Sequence, residues 1–302
     1  MFHRILVPLD GSLLAESALP AARYLADTLG SAITLIHVIE KDAPSTVHGE
    51  RHLRTPAEAE AYLTELRARV RPASSETAWH VHASASGNIV QSLVEHQDEL
   101  SPDLIVMCTH GRGGLRRIFI GSIAQQVAAS GTTPVLLIRP EGSGRTVPFA
   151  LFRILAPLDG DRAHEQGLAT ALDLAKACGA GLHLLSVIPS MSTLYGRQAT
   201  MGRLLPRATR RMLEMAETNM EAYLARQADR CRNAGVTATA ETRMGEIAGT
   251  IIQVAETMDA SLIVLGTHGK SGTKAFWTNS VAAGVQAQTR RPLMLLPLAR
   301  HP

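Results

Sequence analysis

RILVPLDGS at residues 4–12 returns as RILAPLDGD at 153–161, an offset of 149. Working outward from that pair, ITLIHVI at 33–39 matches LHLLSVI at 182–188 at the same offset. Three later pairs stand 158 apart: SGNIVQSLVE at 86–95 with MGEIAGTIIQ at 244–253, DLIVMCTHGRGG at 103–114 with SLIVLGTHGKSG at 261–272, and TTPVLLIRP at 132–140 with RRPLMLLPL at 290–298. The growth of the offset places a nine-residue insertion in the second copy, between the second and third pairs. A period of about 150 residues is too long for a solenoid and has the size of a domain. The 302-residue chain therefore reads as a duplicated domain, 1–140 and 151–302. The join at 141–150 falls in the polar stretch PEGSGRTVP, whose Gly and Pro content is that of a linker.

Each copy alternates strand and helix. Ile5–Val7 is short, apolar and stopped by Pro8, after which Leu14, Ala18, Ala21, Ala22, Leu25 and Leu29 recur at helical spacing. Ser12 stands ready as an N-cap and Gly30 as a stop, with Gly179 in the same place in the second copy. Ile33–Ile39, Thr77–Ala83, Leu104–Met107 and Val135–Ile138 read as strands, and Pro56–Val70, Asn88–Leu100 and Ser122–Ser130 as helices. Strands that are apolar throughout and separated by helices form a parallel sheet covered on both faces. The expected fold is thus α/β, two tandem, doubly wound, parallel-sheet domains of Rossmann-like type. The last strand of each half, VLLI at 135–138 and LMLL at 293–296, is an apolar edge that invites pairing. Mutual pairing of the two about a pseudo-twofold satisfies both, and a homodimer is a further way to cover such an edge.

Composition bounds the function. Hydrophobic residues make up 45% and charged residues 19%, which excludes disorder for most of the chain. The net charge of +3 and the 4% aromatic content argue against a nucleic-acid partner. No apolar run approaches the ~20 residues that span a bilayer, so no membrane partner is expected. The opening MFHRILVPLDGS lacks a signal-peptide pattern. Three cysteines, Cys108, Cys178 and Cys231, without metal-ligand spacing fit a reducing cytoplasm.

Ligands of open α/β sheets bind beyond the carboxyl ends of the strands. Two segments per half end there: Pro8-Leu9-Asp10-Gly11-Ser12, and Cys108-Thr109-His110-Gly111 followed after nine residues by Gly121-Ser122. The second has the chemistry of an anion cradle, since glycines expose main-chain N–H groups and a helix start favours phosphate. Ser122 adds a hydroxyl, Arg112, Arg116 and Arg117 add charge, Asp10 offers an acceptor for a ribose hydroxyl, and Val38 offers a wall for adenine. A tight turn before a glycine-opened helix explains the same residues without a ligand, and both readings stay open on spacing alone.

THGRGGLRRIFIGSIAQQV, with VPLDGS before it and TTPVLLIRP after it, resembles the universal stress protein family, and the duplication resembles its tandem-domain members. The resemblance covers nearly the whole chain and implies HUP-type domains. It also implies a nucleotide site with the pattern Gly, two residues, Gly, nine residues, Gly, then Ser or Thr. Gly111 and Gly121-Ser122 fit, with Cys108 at the first glycine position; Gly266 and Gly269 fit, with Asn279-Ser280 at the last. In the first copy the implied contacts are Pro8 and Asp10 near base and ribose, Val38 on adenine, Met107 and Cys108 beside the ribose, and Gly111, Arg112, Gly121, Ser122 and Ile123 around the phosphates. In the second, weaker copy they are Asp159, Val187, Gly266, Gly269, Asn279, Ser280 and Val281. The implied cofactor is ATP, with Mg²⁺ as its companion ion, bound mainly by the first domain.

Other residues have plainer readings. His110 and His268 shape their loops, His80 and His82 share a strand face without a third metal ligand, and His37 and His183 belong to core or rim. Cys108 is also a candidate redox-sensitive thiol. Residues 190–213 contain Arg197, Arg203, Arg207, Arg210 and Arg211 and no acid, reading either as a solvated helix start or as a basic flap over the second cleft. Phosphoryl transfer needs a base and a metal site that the sequence does not display, so no catalytic or metal residue is expected. The expectation is a ligand-responsive stress protein with slow ATP hydrolysis at most. Its alternative is a non-nucleotide scaffold or small anionic-ligand binder.

Overall fold

A computed structural model describes residues 1–39, 46–47, 50–51, 53–70, 76–83, 91–93, 99–109, 124, 126–128, 132–140, 148–161, 164–194, 196–268 and 280–298. Two compact units emerge, one built on Met1–Ala150 with Pro292–Pro297, the other on Leu151–His268 with Gly272–Arg291.

The first unit begins with β1 (Arg4–Pro8), whose Ile5, Leu6 and Val7 are buried. Short α1 (Leu13–Glu16) and α2 (Leu19–Leu29) follow, then β2 (Ala32–Ile39), α3 (Pro56–Val70), β3 (Thr77–Ala83), β4 (Leu104–Cys108) and β5 (Val135–Ile138). One helix was expected over the α1–α2 stretch. It divides because Pro20 lacks an N–H and its ring crowds the carbonyl four residues back, at Glu16. The Ser17 hydroxyl instead donates to Leu14 O at 2.6 Å. The expected caps hold: Ser12 Oγ accepts from Ala15 N at 3.2 Å, and α2 closes at Gly30 in the left-handed conformation. The helices expected at 88–100 and 122–130 fall largely outside the described residues.

The second unit runs β6 (Arg153–Pro157), α4 (Glu165–Cys178), β7 (Gly181–Ile188), α5 (Gly196–Leu204), α6 (Pro206–Asn233), β8 (Ala238–Met244), α7 (Ile247–Thr257), β9 (Leu262–His268) and α8 (Val281–Gln288). Ala169 stands where Pro20 stood, and α4 is accordingly unbroken. The nine-residue insertion is a net figure. EAYL at 60–63 in α3 recurs as EAYL at 221–224 in α6, an offset of 161, so twelve residues enter ahead of it and three are lost after β8. The added length is α5 and the first turns of α6.

In the first unit the sheet order is β3-β2-β1-β4-β5, all parallel. The chain's last strand, β10 (Leu293–Leu298), has its Leu293, Met294 and Leu295 antiparallel to Leu137, Leu136 and Val135 of β5. The second unit repeats the parallel order as β8-β7-β6-β9. Strand order reverses at β1/β4 and at β6/β9, so each unit opens a crevice between those strands at their carboxyl ends.

Candidate functional site

At the first crevice, β1 ends at Pro8 and the chain turns at once. Leu9 N donates to Ile36 O at 2.9 Å, and buried His37 donates from Nδ1 to Leu9 O at 2.8 Å, which fixes the loop's exit from the sheet. Asp10 Oδ1 accepts from Ser12 N at 2.9 Å and from Ser12 Oγ at 2.6 Å. This Asx turn needs a positive φ at Gly11, observed at 90°, and a Cβ there would lie 2.9 Å from Leu53 Cγ. Only glycine fits. Val38 lies two residues beyond Ile36, the register partner of Pro8, and so at the carboxyl end of β2.

Across the crevice, β4 ends with Met107 and Cys108, both buried, and Thr109 N donates to Ile138 O at 2.8 Å. Burial pushes the Cys108 thiol up to about 12, with Ser17 acting in the opposite direction and the Asp10 charge adding to the rise. The thiol therefore stays protonated at neutral pH, which removes the expectation of a redox-sensitive cysteine, since the thiolate is the reactive form. Gly111, Arg112, Gly121, Ser122 and Ile123 lie outside the described residues, as does His110.

The second crevice uses the same turn with different partners. Asp159 Oδ1 accepts from Asp161 N at 3.0 Å, and Asp159 Oδ2 lies 2.6 Å from His164 Nδ1. Gly160 has φ 83°, and a Cβ there would meet Met220 Cε at 3.1 Å. Val187 is near the end of β7 and Gly266 lies within β9, both half-buried. Ser280 caps α8, its Oγ accepting from Ala283 N at 3.1 Å, and Val281 opens that helix. Gly269 and Asn279 lie outside the described residues. Beside the turn, Gly160, Glu165, Tyr223, Arg226, Gln227 and Arg230 line an open cavity of about 510 Å³.

The universal stress protein family pattern matches this chain twice, over residues 1–139 and 151–297. The chain belongs to the universal stress protein family. A universal stress protein of Mycolicibacterium smegmatis is 23% identical over 308 residues, covering 97% of each chain. One from Thermus aquaticus is 32% identical over 142 residues, covering 46% of this chain and all of its own. The crystal structure of a universal stress protein from Archaeoglobus fulgidus superposes with a TM-score of 0.68 at 17% identity, over 98% of this chain and 96% of that one.

One cluster in this universal stress protein escaped the sequence reading. Glu16 lies against Arg69 at 3.1 Å, beside Tyr62. The same three residue types meet in the second unit, where Glu165 accepts from Tyr223 Oη and Gln227 Nε2, each at 3.2 Å, and Arg230 stands 3.8 Å away. Burial, then the neighbouring Glu165 charge, pushes the Tyr223 hydroxyl up to about 12. The repeated EAYL with Arg seven residues after its Tyr was the available signal. It was hidden because its offset differs from both offsets that organised the repeat.

The remaining candidates have structural partners. His183 contacts Thr239 Oγ1 at 2.7 Å and Glu241 Oε1 at 3.2 Å, and the rings of His80 and His82 stack with centroids 6.4 Å apart. Arg197, Arg203, Arg207, Arg210 and Arg211 stand exposed on α5 and the start of α6, the arrangement of a solvated helix surface. Among the described residues no helix is long and apolar enough to cross a membrane.

Proposed function

We propose that this universal stress protein binds adenine nucleotide, ATP with Mg²⁺, mainly in its first domain, and responds to it as a regulatory protein with slow hydrolysis at most. The observation that carries the reading is the β1/β4 crevice. Its two carboxyl-end segments, the Asp10 turn and Met107–Cys108, flank the reversal of strand order where α/β folds take ligands. Pro8 and Asp10 would face base and ribose, Val38 the adenine, and Gly111, Arg112, Gly121, Ser122 and Ile123 the phosphates. The Asp10 Oδ1 bonds to Ser12 suit a positioned acceptor better than a general base.

The second domain, 151–302, joined to 1–140 by 141–150, would bind nucleotide more weakly through Asp159, Val187, Gly266, Gly269, Asn279, Ser280 and Val281. His164 beside Asp159 and Asn at 279 both alter the pattern there. We also infer that the two repeats hold together through their last strands, which the register of Leu293–Leu295 on Val135–Leu137 supports.

The test is chromatography of the supernatant from heat-denatured, freshly purified protein, followed by thermal shift with millimolar ATP and Mg²⁺. Co-purified adenine nucleotide and a rise in Tm that falls sharply in Asp10→Ala are expected. Neither nucleotide nor shift would overturn the reading in favour of a scaffold.

A further inference from the structure

At the 161-residue offset that aligns α3 with α6, Tyr62 and Arg69 recur as Tyr223 and Arg230, but Glu65 becomes Arg226 and Leu66 becomes Gln227. The first change reverses a charge, and the second puts a buried amide in place of a buried aliphatic side chain. Both new residues line the cavity of about 510 Å³ beside Gly160 and Glu165. Tyr223, Arg226, Gln227 and Arg230 stand at positions i, i+3, i+4 and i+7 and so share one face of α6.

The polar groups of the cavity are held in place by one another. Gln227 bridges its neighbours: Nε2 donates to Glu165 Oε1 at 3.2 Å, and Oε1 accepts from Arg230 Nη1 at 2.8 Å. Tyr223 Oη donates to the same Glu165 oxygen at 3.2 Å. The second oxygen, Glu165 Oε2, lies 3.8 Å from Arg230, beyond hydrogen-bond reach of it. Asp159, the other carboxylate whose charge reaches Tyr223, accepts from Asp161 N and lies against His164. Arg226 is exposed one helical turn before Arg230 and makes no hydrogen bond or ion pair with any described residue.

We propose that this cavity binds a small phosphomonoester with a hydroxylated body, its phosphoryl group on Arg226 and Arg230 and a hydroxyl on Glu165 Oε2. Two guanidinium groups one turn apart offer planar donor forks to a single oxyanion. Gln227 fixes the guanidinium of Arg230, and Tyr223 and Gln227 together fix the carboxylate that accepts the hydroxyl. Tyr223 is the only ring among the described lining residues, so the cavity offers a polar body contacts and a nucleobase no apolar slot. The first unit lacks the site: Glu65 stands where Arg226 would receive the phosphoryl group, and buried Leu66 stands where Gln227 holds Arg230.

Isothermal titration of the full chain with glycerol 3-phosphate, inorganic phosphate and glycerol tests this. Glycerol 3-phosphate should bind with a Kd of about 1 mM or below, inorganic phosphate more weakly, and glycerol not at all. Arg226→Glu/Gln227→Leu installs the residues that the first unit carries at both positions, so circular dichroism should be unchanged. It should raise the Kd about tenfold or more, the cost of a charge-assisted contact. Arg210→Glu makes the same charge change on an exposed part of α6 outside the cavity and should leave the Kd within about twofold. No saturable binding of glycerol 3-phosphate would overturn the proposal. So would equal losses in the two variants, which is general charge attraction, or inorganic phosphate binding as tightly as the ester. The rise in Tm with ATP should be the same in Arg226→Glu/Gln227→Leu as in the parent protein, so this site and the nucleotide reading fail separately.

Discussion

The two halves place the same three side chains in two different dielectric settings. In the first, Glu16 is only 5% exposed and pairs with Arg69 at 3.1 Å. In the second, Glu165 is half-buried, Arg230 has moved to 3.8 Å, Gln227 has replaced Leu66, and a cavity opens beside them. The twelve residues added ahead of Tyr223 build α5 and a longer α6, which buries Leu224, Gln227 and Cys231 where α3 buries Leu63, Leu66 and Val70 but leaves Met220 half-buried where Ala59 is buried. Duplication thus preserved residue types while changing their access to water, and access to water decides what an ion pair contributes.

Two substitutions break this comparison most strongly. Arg69→Ala leaves a buried carboxylate without its cation. Removal of one partner of a fully buried pair costs about 3–5 kcal/mol. Because Arg69 is itself half-exposed, about 2 kcal/mol is expected. Arg230→Ala acts on a pair in contact with solvent and should stay within about 0.5 kcal/mol. Urea unfolding of the two variants, followed by far-UV circular dichroism, checks the ratio. Equal costs would mean that burial is not what distinguishes the halves.

The turns give a smaller contrast. Ser12 both caps α1 through Oγ and donates that hydroxyl to Asp10, so Ser12→Ala should cost about 1 kcal/mol. In the second turn the donor from residue 161 is its backbone N–H, which survives substitution, and Asp159 keeps His164. Urea unfolding of Ser12→Ala checks that cost. No loss of stability would mean that the hydroxyl at 12 contributes nothing that the backbone N–H of the same residue does not.

The extent to which all this was legible in sequence follows from the range of each interaction. Strands β1, β2, β4 and β5 were readable because burial on both faces forces uninterrupted apolar runs, and Gly30 and Gly179 because helix ends restrict backbone conformation. Ser12 was readable as a cap, while its bonds to Asp10 were not read although donor and acceptor sit only two residues apart. The break at Ser17–Ala18 was encoded by Pro20, yet the apolar spacing runs straight through it, so periodicity alone passed over the lost hydrogen bond. The Glu–Tyr–Arg clusters join a glutamate to residues more than forty positions away, and neither cluster carries an unusual local pattern. Likewise, nothing local tells that Met212 and Met215 stay in solvent, since their spacing would serve a core-facing helix. The phosphate-facing glycines were legible as a motif, and 110–123 and 269–279 lie outside the described residues.

The pH dependence of stability sharpens the first comparison further. Burial holds the Glu16 carboxyl above its ordinary value of 4.5, with Arg69 acting against that rise. The folded protein therefore binds this proton more tightly than the unfolded chain does. Its contribution to stability is present in full below the unfolded carboxyl pKa and is lost as pH rises through the folded one. Glu16→Gln carries no titrating proton and lacks this slope. Relative to the parent protein, the glutamine variant should gain stability as pH is raised from 4 toward neutrality, by less than the Arg69→Ala effect. Thermal melts of both proteins across that range give the difference curve, and normalising each to its own value at pH 4 removes the constant cost of the amide. A difference that stays flat would place the carboxylate's desolvation and its attraction to Arg69 in balance, and the sealed cluster would then be electrostatically equivalent to the open one.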